Sequence, residues 1–270
     1  MVAPDHVAWL AQTGEVIKTA DGLKVEVWEL HHADDEAILS AWARHFRQHY
    51  CKDADLDDLI SGTGLTKAEF LTSIKFPDAT AAPGPSTRAG DFGEILVADF
   101  VEYVLGYWCP REGRYENRDN RSVPSNGCDI LGFKFTTNGP WDEGDELFLL
   151  ESKAGFKPTK KNRIQQAIDG SIKDMTREAM SLNAIKQRLL KINRNDALKV
   201  ERFQNANDRP FKRISGAVAV LEEDVLKKME IDKSDGSKHP NVDNLRLIVI
   251  KGLSMMDLVH ALYERAANEA

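Results

Sequence analysis

Two charged residues close an apolar run in ELFLLESKA (146–154). Glu151 and Lys153 follow Leu147-Phe148-Leu149-Leu150, and residues two apart on a strand share a face. A second apolar segment, CDILGFKF (128–135), opens with Asp129. Between them TNGPWDEGD (137–145) carries Asn, Gly and Pro together, as turns do. A hairpin folded about residue 140 pairs Asp129 with Glu151, Leu131 with Leu149 and Phe133 with Leu147. All six side chains then lie on one face, with Lys153 next to Glu151; a one-residue slip would break the set. Two opposed carboxylates repel unless a proton or a cation sits between them. Oxygen donors suit Mg²⁺ (or Mn²⁺), which keeps several waters and binds through one or two carboxylates plus phosphate oxygens. Such an ion acidifies its bound water and polarises a phosphoryl oxygen, and a neighbouring lysine steadies the phosphate's charge. Hydrolysis of a phosphodiester is the chemistry this set serves. A solvated strand end with a weak surface ion pair is the bland alternative for Glu151 and Lys153.

The elements that must position these groups are legible in part. LKVEVWEL (23–30) reads as a strand, and 34–50 as a helix with Ile38, Trp42 and Phe46 on one stripe. Thr66 is a candidate N-cap for KAEFLTSI. FPDATAAPGPSTRAG (76–90) holds three prolines and two glycines and reads as a loop and domain boundary. Residues 91–108 read as a helix burying Ile95, Phe100, Val104 and Trp108. Apolar positions recurring every three or four residues from 164 to 192 mark a long amphipathic helix. GAVAVLEE (216–223) and NLRLIVIKG (244–252) are further strands. Ser254 and Asp257 resemble a capping box before a C-terminal helix. Helices interleaved with strands in this order predict an α/β fold with a mixed central sheet flanked by helices.

The 270 residues carry a net charge of −7, unevenly spread. Residues 151–213 hold 16 Lys+Arg against 7 Asp+Glu, a net of +9, and the remainder is −16. A basic segment in an acidic chain focuses a positive field locally, although a solvated helix face would look the same. No long uncharged apolar run predicts a membrane span, and the N-terminus lacks the pattern of a secretory signal. Cys51, Cys109 and Cys128 are scattered, so reduced thiols and a cytoplasmic location are expected. The histidines lack zincin spacing, and there is no phosphate-binding G-x-x-x-x-G-K-[ST] loop, so an ATP-driven step would belong to a partner.

Asp129 in SNGCDILGF, followed after a turn by Glu151-Ser152-Lys153, resembles the PD-(D/E)XK nuclease signature. Members often carry a glutamate on the preceding helix, and GDFGEILVADF places Glu94 there. The resemblance implies a restriction-endonuclease-like core over residues 87–221, in the order helix–strand–strand–strand–helix–strand, with a first strand near 114–121. Cys128 stands where a proline is usual, and no tyrosine follows Gln165 or Gln166 at the spacing of the RecB-like branch. More widely, the GDFGE helix, ENRDNRSVPSNGCDILGF and LFLLESKA are similar to the HamA-like nuclease subunit of the Hachiman anti-phage defence system.

That similarity implies a DNA substrate, a HamB-like helicase partner and activity held off until infection or DNA damage. In these terms Asp129 and Glu151 would ligate the metal. Lys153 would position the attacking water or stabilise the transition state, and Glu94 would support the metal or its waters. Residues 1–80 would form an N-terminal α+β extension available for partner docking, and 85–270 the nuclease-like domain. In and just after the loop KAGFKPTKKNR (153–163), Lys157, Lys160, Lys161, Arg163 and Gln165 are weak candidates for DNA contact. REGRYENRDNR (111–121) is a weaker one, since its acids cancel its arginines. Two other readings stand beside this: a catalytically inactive nuclease-like module that docks a helicase and binds DNA, and an RNA-directed nuclease.

Overall fold

The computed structural model describes residues 2–116, 118–123, 127–139 and 141–270. Six strands, β1 (Leu10–Lys18), β2 (Lys24–Leu30), β3 (Ile130–Lys134), β4 (Glu146–Gly155), β5 (Lys212–Glu222) and β6 (Leu245–Gly252), form one sheet in the order β1-β2-β6-β5-β4-β3. The central four run parallel, and β1 and β3 lie antiparallel at the edges. Around the sheet lie α1 (Glu36–Gln48), α2 (Asp53–Ile60), α3 (Lys67–Phe70), α4 (Gly84–Asp99), α5 (Arg163–Ile192), α6 (Arg194–Glu201), α7 (Glu223–Lys228) and α8 (Met255–Asn268). The expected α/β architecture, a mixed sheet flanked by helices, is therefore what forms.

Parallel strands buried on both sides read as continuous apolar runs, and alternation sorts their side chains. Phe148, Leu150, Val218, Val220, Ile248 and Ile250 pack with α1, α4 and α8. On the opposite face Ala217, Ala219, Leu247 and Val249 meet the first turns of α5, while Leu147, Leu149, Leu131 and Phe133 meet its later turns through Leu182, Ile185 and Leu189. The hairpin register is the one the apolar pattern required: Leu131 opposes Leu149 and Phe133 opposes Leu147. Pro140, at the turn's centre, lies outside the described residues, as do Pro124, Ser125 and Asn126 of the motif stretch.

Several expectations need correction. No strand forms near 114–121 among the described residues, which are mostly turns and bends there; Arg114 and Arg118 are drawn onto Glu94 and Asp91 of α4, and Arg121 onto Asp78 before it. Residues 84–90 are not loop: α4 starts at Gly84 with Pro85 in its first turn, where a missing N–H costs nothing, and it buries Thr87 and Arg88. Ser254 does not cap α8 with its side chain. It sits at φ 50°, and the Glu222 carboxylate accepts from the N–H groups of Ser254 (2.8 Å) and Met255 (2.7 Å) instead. Strand β1 and helix α6 were not anticipated. Residues 1–80 supply two strands of the common sheet, with β2 parallel to β6, and α1 packs on α8. No helix among the described residues is long and apolar enough to cross a membrane.

Candidate active site

β3 ends its pairing with β4 at Ile130 and Leu150, whereas β4 stays paired with β5 through Gly155. Beyond Leu150, β4 therefore has an open edge. Asp129 fills the first place on it: its Oδ2 accepts the Ser152 N–H at 3.0 Å, where the next ladder acceptor would stand. Glu151 and Lys153 continue the Leu147–Leu149 face toward α5. Ser152 and Ala154 point the other way, toward Gly93 of α4, where a Cβ would already lie 3.4 Å from that of Ala154. The end of β4 is thus held between α4 and α5. A cavity of about 840 Å³ opens there, lined by Asp91, Glu94, Asp129, Lys153, Lys157 and Arg163 among others.

The Glu151 carboxylate lies against the backbone of Gly170 in α5, where no side chain would fit. The Lys153 ammonium donates to Glu151 Oε1 and to the Ser152 carbonyl. Arg114 joins Asp129 to α4: its guanidinium donates to Glu94 Oε2 (3.1 Å), to Asp129 Oδ1 (3.5 Å) and to the Cys128 carbonyl (2.8 Å). Glu94 also accepts from the Tyr115 hydroxyl at 3.0 Å. Glu94 therefore reaches Asp129 through Arg114.

Burial dominates the electrostatics. It pushes the Asp129 carboxyl up to about 6, and the charge of Glu151 adds to the shift against the pull of Arg114 and Lys153. Glu151 is raised by burial, with Asp174 contributing. Burial and the charge of Asp129 raise Glu94. Although burial alone would lower Lys153, the Asp129 and Glu151 charges hold it above its ordinary value. Asp174 of α5, which the sequence pattern did not single out, is raised to about 6 by burial and by Asp129. Its only signal was a position four residues after Gly170, on the same helix face.

The remaining candidates separate. Lys157 and Arg163 line the cavity, whereas Lys160 and Lys161 are exposed and outside its lining. Gln165 faces the segment after α7, where its amide donates to the Asp235 carbonyl and accepts the Asp235 N–H. Three arginines of 111–121 are internal clamps, Arg111 on Asp99 and Glu102, Arg114 on Glu94 and Arg118 on Asp91, while Arg121 pairs with half-buried Asp78. A second cavity, of about 470 Å³, lies on the far side of Asp129 and is lined by Arg111, Arg114, Arg177 and Arg188.

Among the described residues, His6, His45 and Asp99 bring three possible ligand atoms within 4.8 Å of one another. Arg111 donates to the same Asp99 at 2.7 Å. Against the effect of burial, this guanidinium and the two imidazoles hold Asp99 well below the carboxylate range. His6 also stacks on Trp42 at 4.3 Å. The charge of Asp99 is already met, and the cluster is structural.

A model of the HamA family matches residues 5–266, from the residue that opens the first turn to the last turns of α8. The chain belongs to the HamA family. This membership makes it a component of the Hachiman type of anti-phage defence, and the match includes β1 and β2 as well as the Asp129–Glu151–Lys153 end of the sheet. No curated protein matches the chain.

Proposed function

We propose that this HamA-family chain is a divalent-metal-dependent DNA nuclease of the PD-(D/E)XK type, acting as the effector of a defence complex under the control of a helicase partner. The observation that carries the reading is Asp129 opposite Glu151 at the open edge of β4, with Lys153 on the same face and a cavity beside them. The donor set fits a hard cation. The candidate ligand atoms are all carboxylate oxygens, burial raises both acids, and neighbouring Asp174 sets a third acid against Glu151. Asp129 and Glu151 would hold Mg²⁺ or Mn²⁺, which when bound supplies Lewis acidity and an acidified water for phosphodiester hydrolysis.

The chain's own residues do the rest. Lys153 carries a full positive charge into the cavity and donates to a phosphoryl oxygen or to the attacking water. Arg114 fixes the Asp129 carboxylate and relays its position to Glu94. Lys157 and Arg163 on the cavity wall meet flanking phosphates, and their phosphate contacts position the strand without reading its sequence.

Supercoiled plasmid incubated with the purified chain and its helicase partner tests the reading, in Mg²⁺ and in EDTA. Cutting is expected with Mg²⁺ only, and is lost in Glu151→Gln and in Lys153→Ala. Retained cutting in either variant sinks the assignment. Full protection of cells against phage by Glu151→Gln would favour a binding module that docks the helicase without cleaving DNA.

A further inference from the structure

Asp174 is an acid that the proposed chemistry leaves without a task. Its side chain is 1% exposed, and among the described residues its carboxylate meets the Glu151 carboxyl and the Cys128 thiol, with no backbone N–H or cationic donor within hydrogen-bond distance. Arg177 approaches only to 4.0 Å, from a half-exposed position. Buried carboxylates ordinarily accept several hydrogen bonds from N–H groups, so one set against a second acid and a thiol calls for an ion or water beside it. The place of Asp174 is fixed. The Cys128 thiol reaches the Asp174 carbonyl at 3.6 Å, and the Cys128 N–H donates to Ser181 on the same helix at 3.1 Å. This locks α5 onto the residue before Asp129. One helical turn earlier, Gly170 lies against Glu151. Asp174 therefore borders the Asp129–Glu151 pair from the α5 side: its charge bears on Glu151, and that of Asp129 bears on it.

We propose that Asp174 is a third carboxylate of the cation site, accepting hydrogen bonds from the water shell of the ion that Asp129 and Glu151 ligate. The inference rests on the cation reading above. Three acids share the ammonium of Lys153 and the outer reach of Arg114, which leaves negative charge for a dication to balance. Mg²⁺ gives up its waters reluctantly, and those waters are strong donors for a carboxylate that meets no N–H donor.

The test is calorimetric titration of Mg²⁺ and of Mn²⁺ into the full chain, with melting temperatures in EDTA. It compares wild type, Asp174→Asn, Asp174→Ser and Asp129→Asn. Outer-shell partners of metal ligands govern affinity by about 10–100-fold, so both Asp174 variants are expected to bind the cation at least about tenfold more weakly. Asp174→Asn should also melt higher than wild type in EDTA, because it removes a buried charge set against Glu151 and Asp129. Unchanged affinity in both Asp174 variants, with Asp129→Asn weakened, overturns the inference and leaves the cation site standing. Unchanged affinity in all three variants, or no binding by wild type, overturns the cation reading and this inference with it. If both Asp174 variants melt well below wild type in EDTA, the carboxylate serves the fold and the inference fails.

Discussion

Replacing Gly170 by alanine should damage the site while sparing the fold. Gly170 is in the middle of α5, where alanine is the better helix former by about 1 kcal/mol. A Cβ there would stand 2.5 Å from Cδ and 2.6 Å from Cγ of Glu151. Ordinary contact begins near 3.4 Å, so the carboxylate must retreat by about 0.9 Å. Overpacking a filled site costs about 1–3 kcal/mol. Set against the helical gain, the net change in stability lies between about zero and about 2 kcal/mol of destabilisation. The loss of function should be larger, since misplacing a catalytic group by about 1 Å costs about 100-fold in rate. Urea denaturation, Mg²⁺ titration and plasmid cleavage on the same Gly170→Ala preparation separate the two effects. Wild-type cleavage with wild-type cation affinity would refute the argument, because Glu151 would then have no need of its place against α5.

Two further perturbations test the surrounding electrostatics. Arg118 pairs with both oxygens of Asp91 at 2.6 Å inside the protein. Arg118→Met should cost about 3–5 kcal/mol by stranding a buried charge, and adding Asp91→Asn should recover much of it; a loss under about 1 kcal/mol by urea denaturation would contradict the clamp. Asp129, at about 6 in the fold against 3.8 ordinarily, keeps its proton in the folded chain over a range where the unfolded chain has lost it. Its contribution to stability is then full below about pH 3.8 and lost as pH rises through about 6. In EDTA, Asp129→Asn should therefore melt higher than wild type at pH 7, with the difference shrinking as pH falls toward 4. A difference that is flat with pH would show that Asp129 is not raised.

What could be read in the sequence followed from period and chemistry acting together. The hairpin register is assumed from a turn centred on residue 140, with Leu131–Leu149 and Phe133–Leu147 as agreeing partners, and that register forms. The long helix from 163 was legible from its 3.6-residue stripe, and Thr66 as an N-cap, which the structure completes with Glu69 as a capping box. The start of α4 was hidden because Pro85 and Gly84 are read as breakers, although proline in a first turn is compatible with a helix. β1 was hidden because its exposed edge carries little apolar pattern. In the site, Glu151, Lys153 and Asp129 were visible through their spacing within one hairpin. Asp174 was not, because nothing local in α5 distinguishes a buried aspartate from one of the many charges on a solvated helix face. Gln165 drew notice as an amide at a helix start, and only the tertiary structure shows it bonded to Asp235.

The segment 111–121 sharpens the argument about charge. Its arginines suggested an outward, nucleic-acid-facing role, yet they turn inward and meet acids one by one. Asp91 receives Arg118 at 2.6 Å on each oxygen, and Asp99 receives Arg111 at 2.7 Å with two imidazoles at 3.0 Å. The fold thus has a way to tolerate a buried acid: give it a guanidinium of its own. At the end of β4 it does otherwise. Glu94 takes most of Arg114, whose reach to Asp129 is 3.5 Å, and Lys153 sits on Glu151. Among the described residues Asp174 meets Glu151 and the Cys128 thiol, and Arg177 comes only to 4.0 Å. The same chain that gives its structural acids a guanidinium each leaves Asp129, Glu151 and Asp174 to share one ammonium and part of one guanidinium, with Asp129 on the cavity wall. That contrast, more than the motif, argues that the missing charge arrives with a cation.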